Sequence, residues 1–590
     1  MAHMLSPRLE WRPSSCPAAV PHMFQRKETL AIPIWLPLLL IAGYLFFGLG
    51  SYGLLDNNEG LYTEIAREMS RGSSLVIPHV NGLLYMEKPP LLYYLVAACL
   101  SLFGETEAAA RAVPLAASLV CMAGVWWFAA RLRRPEAGKL AVMILASSLG
   151  FMLMARVVMF DMLLTAFLTL ALFCFNVAWR EGNRRVLRVA WACLALALLT
   201  KGFLALVLFG LVLGVHFLLN ERRGIWKALG FLADGPGLLL FLAIALPWHV
   251  LASMEHADFA WSYFINEHVL RFLGKRIPHD YYSGPVWYYL PRLLGFLFPW
   301  SFFLPLAFVR SGRSGDPRGT GFLWAAWLVP LAFFSLSSAK ANYYMVVALP
   351  ALALLLALHL ESLVSAGRTR LLMWPAGLML ILALAGGGFL FLKPTLLAGR
   401  TALQFAMAGL FPALCGLSLW AAWFRRPVVA LAAAALLLAP VQVCLFQELA
   451  QQEASVSGRP LARLILARCP GCEVMIYKDF ENISALPFYL PQPLSIIDSV
   501  SNDLWFAQQE AIKAGKADFR FVSTANLAAH LGGRRLALVV LQDHLAEFRG
   551  SALAGRFHAV STVGRATLFL NTMEVAQATH GTSLALRERD

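Results

Sequence analysis

The stretch LLDNNEGLY, residues 54–62, places acids and amides directly after an apolar run that is long enough to cross a bilayer. Its polar side chains include Asp56, Asn58, Glu59 and Tyr62. Two interpretations are open. The stretch is either a solvated loop at the membrane boundary, or part of an active site in which carboxylates orient a substrate, bind a metal or take a proton.

Basic and aromatic residues elsewhere in the chain suit the transfer of a group that is attached to a phosphate. Basic side chains can hold a lipid phosphate and stabilise the charge that develops on it as a leaving group. The basic candidates are Lys88, Lys201, Arg271 and Lys340. The candidate walls for a sugar or phosphate are Tyr62, Tyr85 and Tyr343. These tyrosines would fit an aromatic belt at the membrane interface equally well.

Ionisable residues inside apolar sequence are the strongest candidates, because they are costly there unless they are paired or hydrated. Asp161 and Lys201 are of this kind, and either one alone could instead belong to a structural ion pair at the membrane boundary. Glu87 and His268 are a candidate carboxylate–imidazole pair for a divalent cation, zinc or magnesium. Pairing of Glu87 with a base such as Lys88 accounts for it at least as well, since no local spacing specifies the metal site.

Membrane-spanning helices are predicted to position these residues. The chain has 590 residues, of which 59% are apolar and 14% charged, against roughly 45–50% apolar in a soluble domain. The apolar residues come in blocks of about 20, the length that crosses a hydrocarbon core. The net charge of +15 could suggest nucleic acid, but the basic residues fall in short loops between the apolar blocks, as membrane topology requires. We therefore predict a polytopic α-helical membrane protein that does not bind nucleic acid.

About thirteen spans are predicted in a transmembrane catalytic domain, residues 30–448. All strongly basic short loops share one side only if the apolar block 91–103 does not cross, so we expect a juxtamembrane helix there. The segment 1–29 would then be cytoplasmic, with residues 1–3 extraneous to the natural chain, and the C-terminus would lie outside. The outer loops 51–112 and 253–288 would bring most of the candidate residues to one face.

Residues 449–590 are predicted to form a compact α/β domain on the outer face. The short β-like runs CEVMIY, FRFVS, LALVVL and ATLFL alternate with helix-like stretches around 502–515 and 523–531. The domain has no Gly-rich phosphate loop and no recognisable triad, so we expect a lid, a docking surface or a stabilising element. Cys469 and Cys472 form one CPGC motif, for which a local disulfide or two ordinary thiols are favoured over zinc.

The runs NEGLYTEIAREM and LVIPHVNGLLYMEKPPLLYYL resemble the first outer loop of the polyprenyl-phosphate-dependent glycosyltransferases of the GT-C fold. Within that class the chain looks most like the lipid A 4-amino-4-deoxy-L-arabinose transferases, which are related to the protein O-mannosyltransferases. The positions that carry the resemblance are Glu59, Tyr62, Tyr85, Glu87, Lys88, Pro89, Asp161, the Thr-Lys-Gly around Lys201 and the Ser-x-Ala-Lys around Lys340. It covers the membrane part well and the C-terminal domain weakly.

The resemblance implies a glycosyltransferase of the bacterial inner membrane, with its active site and C-terminal domain in the periplasm. It would transfer 4-amino-4-deoxy-L-arabinose from undecaprenyl phosphate to a phosphate of lipid A and confer resistance to cationic peptides such as polymyxin. The reaction would be a single displacement with inversion. Lys88 and Arg271 would hold the donor phosphate, with Lys201 and a divalent cation as further candidates. Asp161 and residues 56–59 would orient sugar and acceptor.

Asn58 departs from the family pattern, which has an acid at this position. An amide is tolerable if the acceptor is a lipid A phosphate, because a phosphate with a second pKa of about 6 is mostly ionised near neutral pH. Alternatively, Asp56 or Glu59 substitutes for the acid, or Asn58 is an inactivating change.

Two further functions compete with this one. A protein O-mannosyltransferase-like enzyme would act on Ser or Thr hydroxyls. A lipid-linked sugar transporter would be expected to show internal repeats and polar sites near the middle of the membrane. No repeat is visible, and the polar residues are predicted to collect at one face, which favours transfer.

Overall fold

The structure is a computed structural model that describes residues 30–220, 224–279, 283–308, 317–392, 409–513, 520–524, 527 and 534–571. The predicted cytoplasmic segment 1–29 lies outside the described residues. So do Tyr281, a polar residue of the predicted outer loop 253–288, and four arginines of the basic short loops that support the predicted topology: Arg222, Arg223, Arg310 and Arg313.

Residues up to 456 are almost entirely helical, because a chain in lipid must satisfy its backbone hydrogen bonds within each segment. The α-helices are Trp35–Ile41, Asn58–Ser70, Leu91–Phe103, Glu107–Arg131, Pro135–Ala146, Leu149–Met154, Phe160–Glu181, Arg184–Lys201, Leu204–Asn220, Ile225–Leu232, Gly235–Glu255, Tyr289–Phe296, Pro317–Leu336, Leu349–Ser365, Met373–Leu392, Phe411–Trp423, Pro427–Leu436 and Leu438–Val456. Ala42–Phe46 and Trp261–Leu270 are π-helices, and Val286–Tyr288, Trp300–Phe308, Asn342–Ala348 and Thr369–Leu372 are 3₁₀-helices. A two-stranded hairpin pairs β1, His79–Val80, with β2, Leu83–Leu84.

Within the described residues, six helices are long and apolar enough to cross a membrane, or seven if the bent pair Val286–Phe296 and Trp300–Phe308 counts as one span. Five shorter apolar helices accompany them. The chain is thus a multi-pass membrane protein, whereas the predicted count of thirteen is not confirmed. Leu91–Phe103 is a separate helix of 13 residues, about 20 Å long and therefore shorter than a hydrocarbon core of about 30 Å.

The C-terminal part is a six-stranded sheet flanked by helices. Its strands are β3, Glu473–Tyr477; β4, Ser495–Ile497; β5, Phe521–Val522; β6, Leu536–Leu541; β7, Phe557–Val563; and β8, Ala566–Asn571. The order is β5-β4-β3-β6-β8-β7. The four strands β5, β4, β3 and β6 are parallel, β8 is antiparallel to β6, and β7 is antiparallel to β8. The helices are Arg459–Arg468, Trp505–Lys513 and Gln542–Gly550, with short 3₁₀ turns at Glu481–Ile483, Pro487–Tyr489 and Ala554–Arg556.

All four predicted β-runs contain strands, but sequence reasoning missed β4 and β7. β4 is only three residues long, and β7 alternates buried and accessible residues irregularly. The predicted boundary at 448/449 falls inside the helix Leu438–Val456, which continues from the membrane part towards the sheet domain. Cys469 and Cys472 are joined by a disulfide, as one of the two favoured alternatives predicted.

The predicted outer loop 51–112 is held against the sheet domain by buried polar contacts. Arg67 donates hydrogen bonds to the carbonyl oxygens of Pro487, Phe488 and Leu490 and pairs with Glu64 at 2.6 Å. Asn81 exchanges two hydrogen bonds with the backbone of residue 494. The helix Asn58–Ser70 and the hairpin β1–β2 are therefore both fixed against residues 487–494 of the sheet domain.

A substitution at Gly60 tests how closely the helix Asn58–Ser70 packs against Ala485 of the sheet domain. A β-carbon there would lie 2.5 Å from the backbone nitrogen of Ala485 and would also overlap its Cα. Gly60→Ala is therefore expected to destabilise the protein by about 1–3 kcal/mol, since backbone cannot move aside as a side chain does. Thermal melting of the purified protein measures the effect. Gly43→Ala is the matched control, because nothing lies within 4 Å of its added carbon, and equal melting of the two variants would contradict the close packing.

Candidate active site

A cavity of about 1430 Å³ lies between the membrane helices and the sheet domain. The structure brings ten of the twelve predicted site residues to its wall: Asn58, Tyr62, Glu87, Lys88, Asp161, Lys201, His268, Arg271, Lys340 and Tyr343. It does not bring Glu59 or Tyr85 there. Residues from distant parts of the chain thus meet as predicted. Apolar side chains line much of the remaining membrane wall, among them Phe203, Leu204, Val207, Phe264, Phe272, Leu273, Phe333 and Phe334.

Three cations and two carboxylates form a polar cluster on the cavity wall. Glu267 accepts from Arg276 and lies 3.2 Å from Lys88 Nζ and 2.9 Å from an Arg271 nitrogen. Glu87 in turn pairs with Arg276 at 2.7 Å and with Lys88 at 3.5 Å. Burial alone would raise the pKa of Glu267, but the three cations hold it well below its usual range. The cluster carries one excess positive charge and is suited to bind an anion.

The π-helical turn Trp261–Leu270 presents Glu267 to Lys88 and Arg276. Sequence reasoning did not select Glu267 or Arg276 as site residues, although both lie in the predicted outer loop 253–288. No local signal marks them, because their partners come from the loop that contains Glu87 and Lys88.

Asp161 and Lys201 form the second ion pair of the cavity, with 2.6 Å between Oδ1 and Nζ. Asp161 lies in the first turn of Phe160–Glu181, where the helix dipole favours a negative charge, and Lys201 ends Arg184–Lys201, where it favours a positive one. Lys201 Nζ also lies 4.4 Å from the ring centre of Tyr344 and 5.6 Å from that of Tyr343. The two interpretations made from the sequence, a structural ion pair and a site residue, are therefore compatible, because the pair also lines the cavity.

Asn58 begins the helix Asn58–Ser70 at the edge of the cavity. Its side-chain oxygen accepts a hydrogen bond from the Tyr62 hydroxyl, with 2.9 Å between the oxygens. Tyr62 is itself packed edge-on against Phe160, with 4.8 Å between ring centres. The Asn58 amide is thus held by a residue one helical turn away, and it faces the cavity.

Glu59 lies behind the cavity wall and is 1% exposed. Its two carboxylate oxygens accept from Arg111 at 2.9 Å each and from the backbone nitrogens of Leu55 and Val158. Asp56 also faces away, towards the Ala485 N–H, and burial raises its pKa to about 7. The structure therefore places neither acid where it could substitute for the missing acid at position 58, and Glu59 has the contacts of a structural ion pair.

Glu87 and His268, the predicted metal pair, both line the cavity, but the polar atoms of each contact other parts of the protein. His268 Nδ1 lies 2.6 Å from the Tyr263 carbonyl oxygen and its Nε2 accepts from the Phe203 N–H. Gly202, with φ of +72°, permits this approach, because a β-carbon there would overlap Nε2. Glu87 is occupied by cations, and the described residues contain no group of three or more metal-ligating side chains. These residues as arranged do not fit a divalent cation, and no step below is assigned to one.

Lys340 and Tyr85 have mainly internal contacts. Lys340 is 3% exposed and donates to the carbonyl oxygens of Phe334 and Ser335 at the end of the helix Pro317–Leu336, a site where the helix dipole stabilises a cation. The Tyr85 hydroxyl donates to Glu87 across 3.4 Å. Lys340 reaches the cavity wall, whereas Tyr85 supports Glu87 from behind it.

The sheet domain supplies part of the cavity wall; a lid is one of its three expected roles, but the sequence does not indicate which of its residues face the cavity. The contributing residues are Asp479, Glu481, Asn482, Val500, Ser501, Asn502 and Asp503. They follow β3 and β4, and β4 is one of the strands that the sequence pattern failed to reveal. Their proximity to a site formed by much earlier parts of the chain has no local sequence signal.

Comparison with solved structures defines the class of fold. The chain superposes on the crystal structure of ArnT from Cupriavidus metallidurans bound to undecaprenyl phosphate with a TM-score of 0.75 and 23% identity, over 92% of this chain and 98% of that one. The apo crystal structure of the same protein matches with a TM-score of 0.76 over 91% and 97% of the two chains. The fold is therefore the GT-C fold, which confirms the predicted fold class.

Sequence comparison identifies proteins that are similar to this chain over part of its length. The family model described as dolichyl-phosphate-mannose-protein mannosyltransferase matches residues 87–250. The chain is 33% identical over 358 residues to the undecaprenyl phosphate-alpha-4-amino-4-deoxy-L-arabinose arabinosyl transferase 1 of Pseudomonas fluorescens Pf-5, covering 60% of this chain and 64% of that protein. It is 35% identical over 329 residues to the corresponding protein of Pseudomonas paraeruginosa PA7, covering 54% and 58%. The predicted resemblance is confirmed, and the matches span less than two thirds of these relatives.

Proposed function

We propose that this chain transfers 4-amino-4-deoxy-L-arabinose from undecaprenyl phosphate to a phosphate of lipid A, at the periplasmic face of the bacterial inner membrane. The observation that carries the proposal is the cluster of Lys88, Arg271 and Arg276 around Glu267 in a cavity whose membrane wall is otherwise largely apolar. Such a site can hold an anionic phosphate while apolar helices accept a polyprenyl chain. The sugar and its carrier come from the names of the similar proteins.

The proposed reaction exchanges one bond at the anomeric carbon. The bond from this carbon to the donor phosphate oxygen breaks, and its electron pair stays on the phosphate, which leaves as undecaprenyl phosphate. An acceptor phosphate oxygen bonds to the opposite face of the carbon, so the configuration inverts. Lys88 and Arg271 stabilise the charge on the departing phosphate. Lys201, held by Asp161, contributes a further cation on the same wall.

The acceptor phosphate explains how Asn58 can occupy a position where the family pattern has an acid. A phosphate monoester with a second pKa of about 6 is already mostly a dianion near neutral pH, so no protein base has to remove a proton. A Ser or Thr hydroxyl does need a base. In this structure the acids near position 58 are engaged by Arg111 or by the backbone of residue 485.

Asn58→Asp is expected to change the rate of transfer to lipid A by less than about tenfold, because the nucleophile needs no base and the carboxylate can accept the same Tyr62 hydrogen bond. Initial rates of the two purified proteins with donor and lipid A measure the change. Tyr62→Phe, which removes only the hydroxyl, controls for loss of that hydrogen bond. A gain of several orders of magnitude in Asn58→Asp would mean that the acid is essential and that Asn58 is an inactivating change.

Sugar transfer to protein hydroxyls is the second candidate, favoured by the description of the family model that matches residues 87–250. It requires a base for a Ser or Thr hydroxyl. The carboxylates of the membrane wall, Glu87, Asp161 and Glu267, are each paired with a cation. The membrane wall therefore offers no unpaired carboxylate to act as this base, which favours the phosphate acceptor on that side of the cavity.

A reconstituted reaction tests the proposed function. Purified full-length protein in lipid vesicles is given the undecaprenyl-phosphate-linked amino sugar together with either lipid A or a Ser/Thr-rich peptide. We expect release of undecaprenyl phosphate and a lipid A that is heavier by one pentosamine, with the peptide unchanged. Modification of the peptide alone would replace the proposal by the second candidate, and no modification of either would overturn both.

A further inference from the structure

The part of the cavity wall that the sheet domain supplies lies at the edge of the sheet where such domains commonly bind ligands. Asp479 and Glu481 follow the carboxyl end of β3, and Ser501 and Asp503 follow that of its parallel neighbour β4. In open parallel sheets, ligands bind in the crevice outside the carboxyl ends of the strands. Here this edge faces the membrane cavity, so the domain is placed to contact what the cavity holds.

The two walls of the cavity carry opposite charge. The membrane wall has the cluster of Lys88, Arg271 and Arg276, with one positive charge in excess, whereas the described residues of the sheet-domain wall contribute Asp479, Glu481 and Asp503 and no cation. A cavity of this kind complements a ligand that has a negative and a positive group at its two ends. A phosphate-linked amino sugar is such a ligand, since its phosphate is an anion and its amine is protonated.

Asp503 is the acid of this wall whose carboxylate is left for a ligand. Its backbone N–H donates to Glu481 Oε1 at 2.8 Å, and the Ser501 hydroxyl donates to the same oxygen at 3.2 Å, so Glu481 holds the turn together. The Asp503 carboxylate accepts no hydrogen bond and forms no ion pair within the described part of the chain. Burial, then the neighbouring Glu87 and Glu481, raise the pKa of Asp503 well above its usual range, and the opposing effects of Arg276 and Lys88 are smaller.

Asp503 is partly buried, and an ionised carboxylate that is withdrawn from water without an ion-pair partner is costly, so a bound cation lowers that cost. The turn that carries Asp503 is also anchored on the membrane side, because Asn502 donates from its side-chain nitrogen to the His279 carbonyl oxygen at 3.2 Å. Asp503 is therefore held in place at the cavity wall before any ligand binds.

We propose that Asp503 binds the ammonium group of the transferred amino sugar, with Glu481 as the residue that positions it, while Lys88 and Arg271 bind the phosphate. The sheet domain then selects donors that carry a cationic sugar, in place of serving only as a lid. This inference rests on the proposed function for the identity of the donor, and it makes Asp503 a determinant of donor specificity.

Equilibrium binding to the full-length protein in detergent tests the inference without requiring turnover. The two probes are undecaprenyl-phosphate-linked 4-amino-4-deoxy-L-arabinose and undecaprenyl-phosphate-linked L-arabinose, in which a neutral hydroxyl replaces the amine. The native protein is expected to bind the amino sugar at least about tenfold more tightly. Asp503→Asn is expected to reduce this ratio to below about threefold, mainly by weakening the amino-sugar complex. Asp503→Glu, which keeps the charge, should retain most of the preference.

The control is Asp543→Asn, because Asp543 is an exposed acid of the same domain that does not line the cavity. The ratio of its affinities for the two probes should equal that of the native protein. Melting temperatures establish that each variant is folded, and Asp503→Ser gives the same readout if the Asn variant is not. A native ratio near one, or an unchanged ratio in the neutral variants, would overturn the inference. Selective binding without transfer to lipid A would uphold it and reject the proposed function, and transfer without selectivity would do the reverse.

Discussion

Lys88→Ala is expected to lower the turnover number for transfer to lipid A by about 10²–10³-fold, the loss that follows removal of one charge-stabilising donor from a leaving group or oxyanion. Lys88 Nζ lies on the cavity wall, 3.2 Å from Glu267 and 3.5 Å from Glu87. Its removal takes one positive charge from a cluster that has only one in excess. The cluster becomes neutral, and the departing phosphate loses a cation at the moment when charge develops on it.

Lys88→Ala should lower the turnover number more strongly than it raises KM for the donor. The phosphate carries charge in the ground state as well, so some donor affinity is lost, but Arg271 and Arg276 remain to bind it. Lys88→Arg should retain more activity than Lys88→Ala because it keeps the charge. Lys513→Ala, a surface lysine of the sheet domain that is 62% exposed in its side chain, is the control and should behave as the native protein. A Lys88→Ala protein with native turnover would remove Lys88 from the catalytic site.

Arg111→Met is expected to destabilise the protein by about 3–5 kcal/mol, the usual cost of removing one partner from a buried ion pair. Both Arg111 and Glu59 are buried, and the guanidinium also donates to the carbonyl oxygens of Leu49, Tyr52 and Gly53. The substitution leaves the Glu59 carboxylate without its cation and three carbonyl oxygens without their donor. The loop that carries Asn58 should loosen as a result.

Thermal melting of the purified protein in detergent measures this effect. Arg131→Met is the matched control, because the Arg131–Glu181 pair is exposed on both sides, and exposed pairs contribute about 0–1 kcal/mol. Equal melting temperatures for the two variants would contradict the structural role of the Glu59–Arg111 pair.

The membrane part of the fold was predictable because lipid imposes a strong pattern on sequence. Blocks such as 161–180 and 203–219 correspond closely to the helices Phe160–Glu181 and Leu204–Asn220. The number of crossings was less predictable, since segments such as Val286–Phe296 and Trp300–Phe308 meet at a bend of 109°. Hydropathy reports how apolar a segment is, but it does not report whether the chain turns inside the membrane.

The site was predictable where an ionisable residue interrupts apolar sequence. This pattern predicts Asp161 and Lys201 as site residues, and in the structure Asp161 Oδ1 and Lys201 Nζ lie 2.6 Å apart. Both the LLDNNEGLY pattern and the family resemblance indicate Glu59 as a site residue, yet its partner Arg111 lies 52 positions away, and only the structure reveals that pair. Asp503 could not be found at all, because its part in the cavity depends on how the sheet domain sits against the membrane helices.

The mass spectrum of lipid A tests the central claim most directly. The protein is expressed in a bacterial strain that lacks its own transferase but makes the undecaprenyl-phosphate-linked amino sugar, and lipid A is compared between cells with the native protein and cells with Lys88→Ala at equal expression. We predict an added pentosamine on lipid A with the native protein and little or none with Lys88→Ala. Lipid A without this addition in cells that express the native protein would contradict the proposed function.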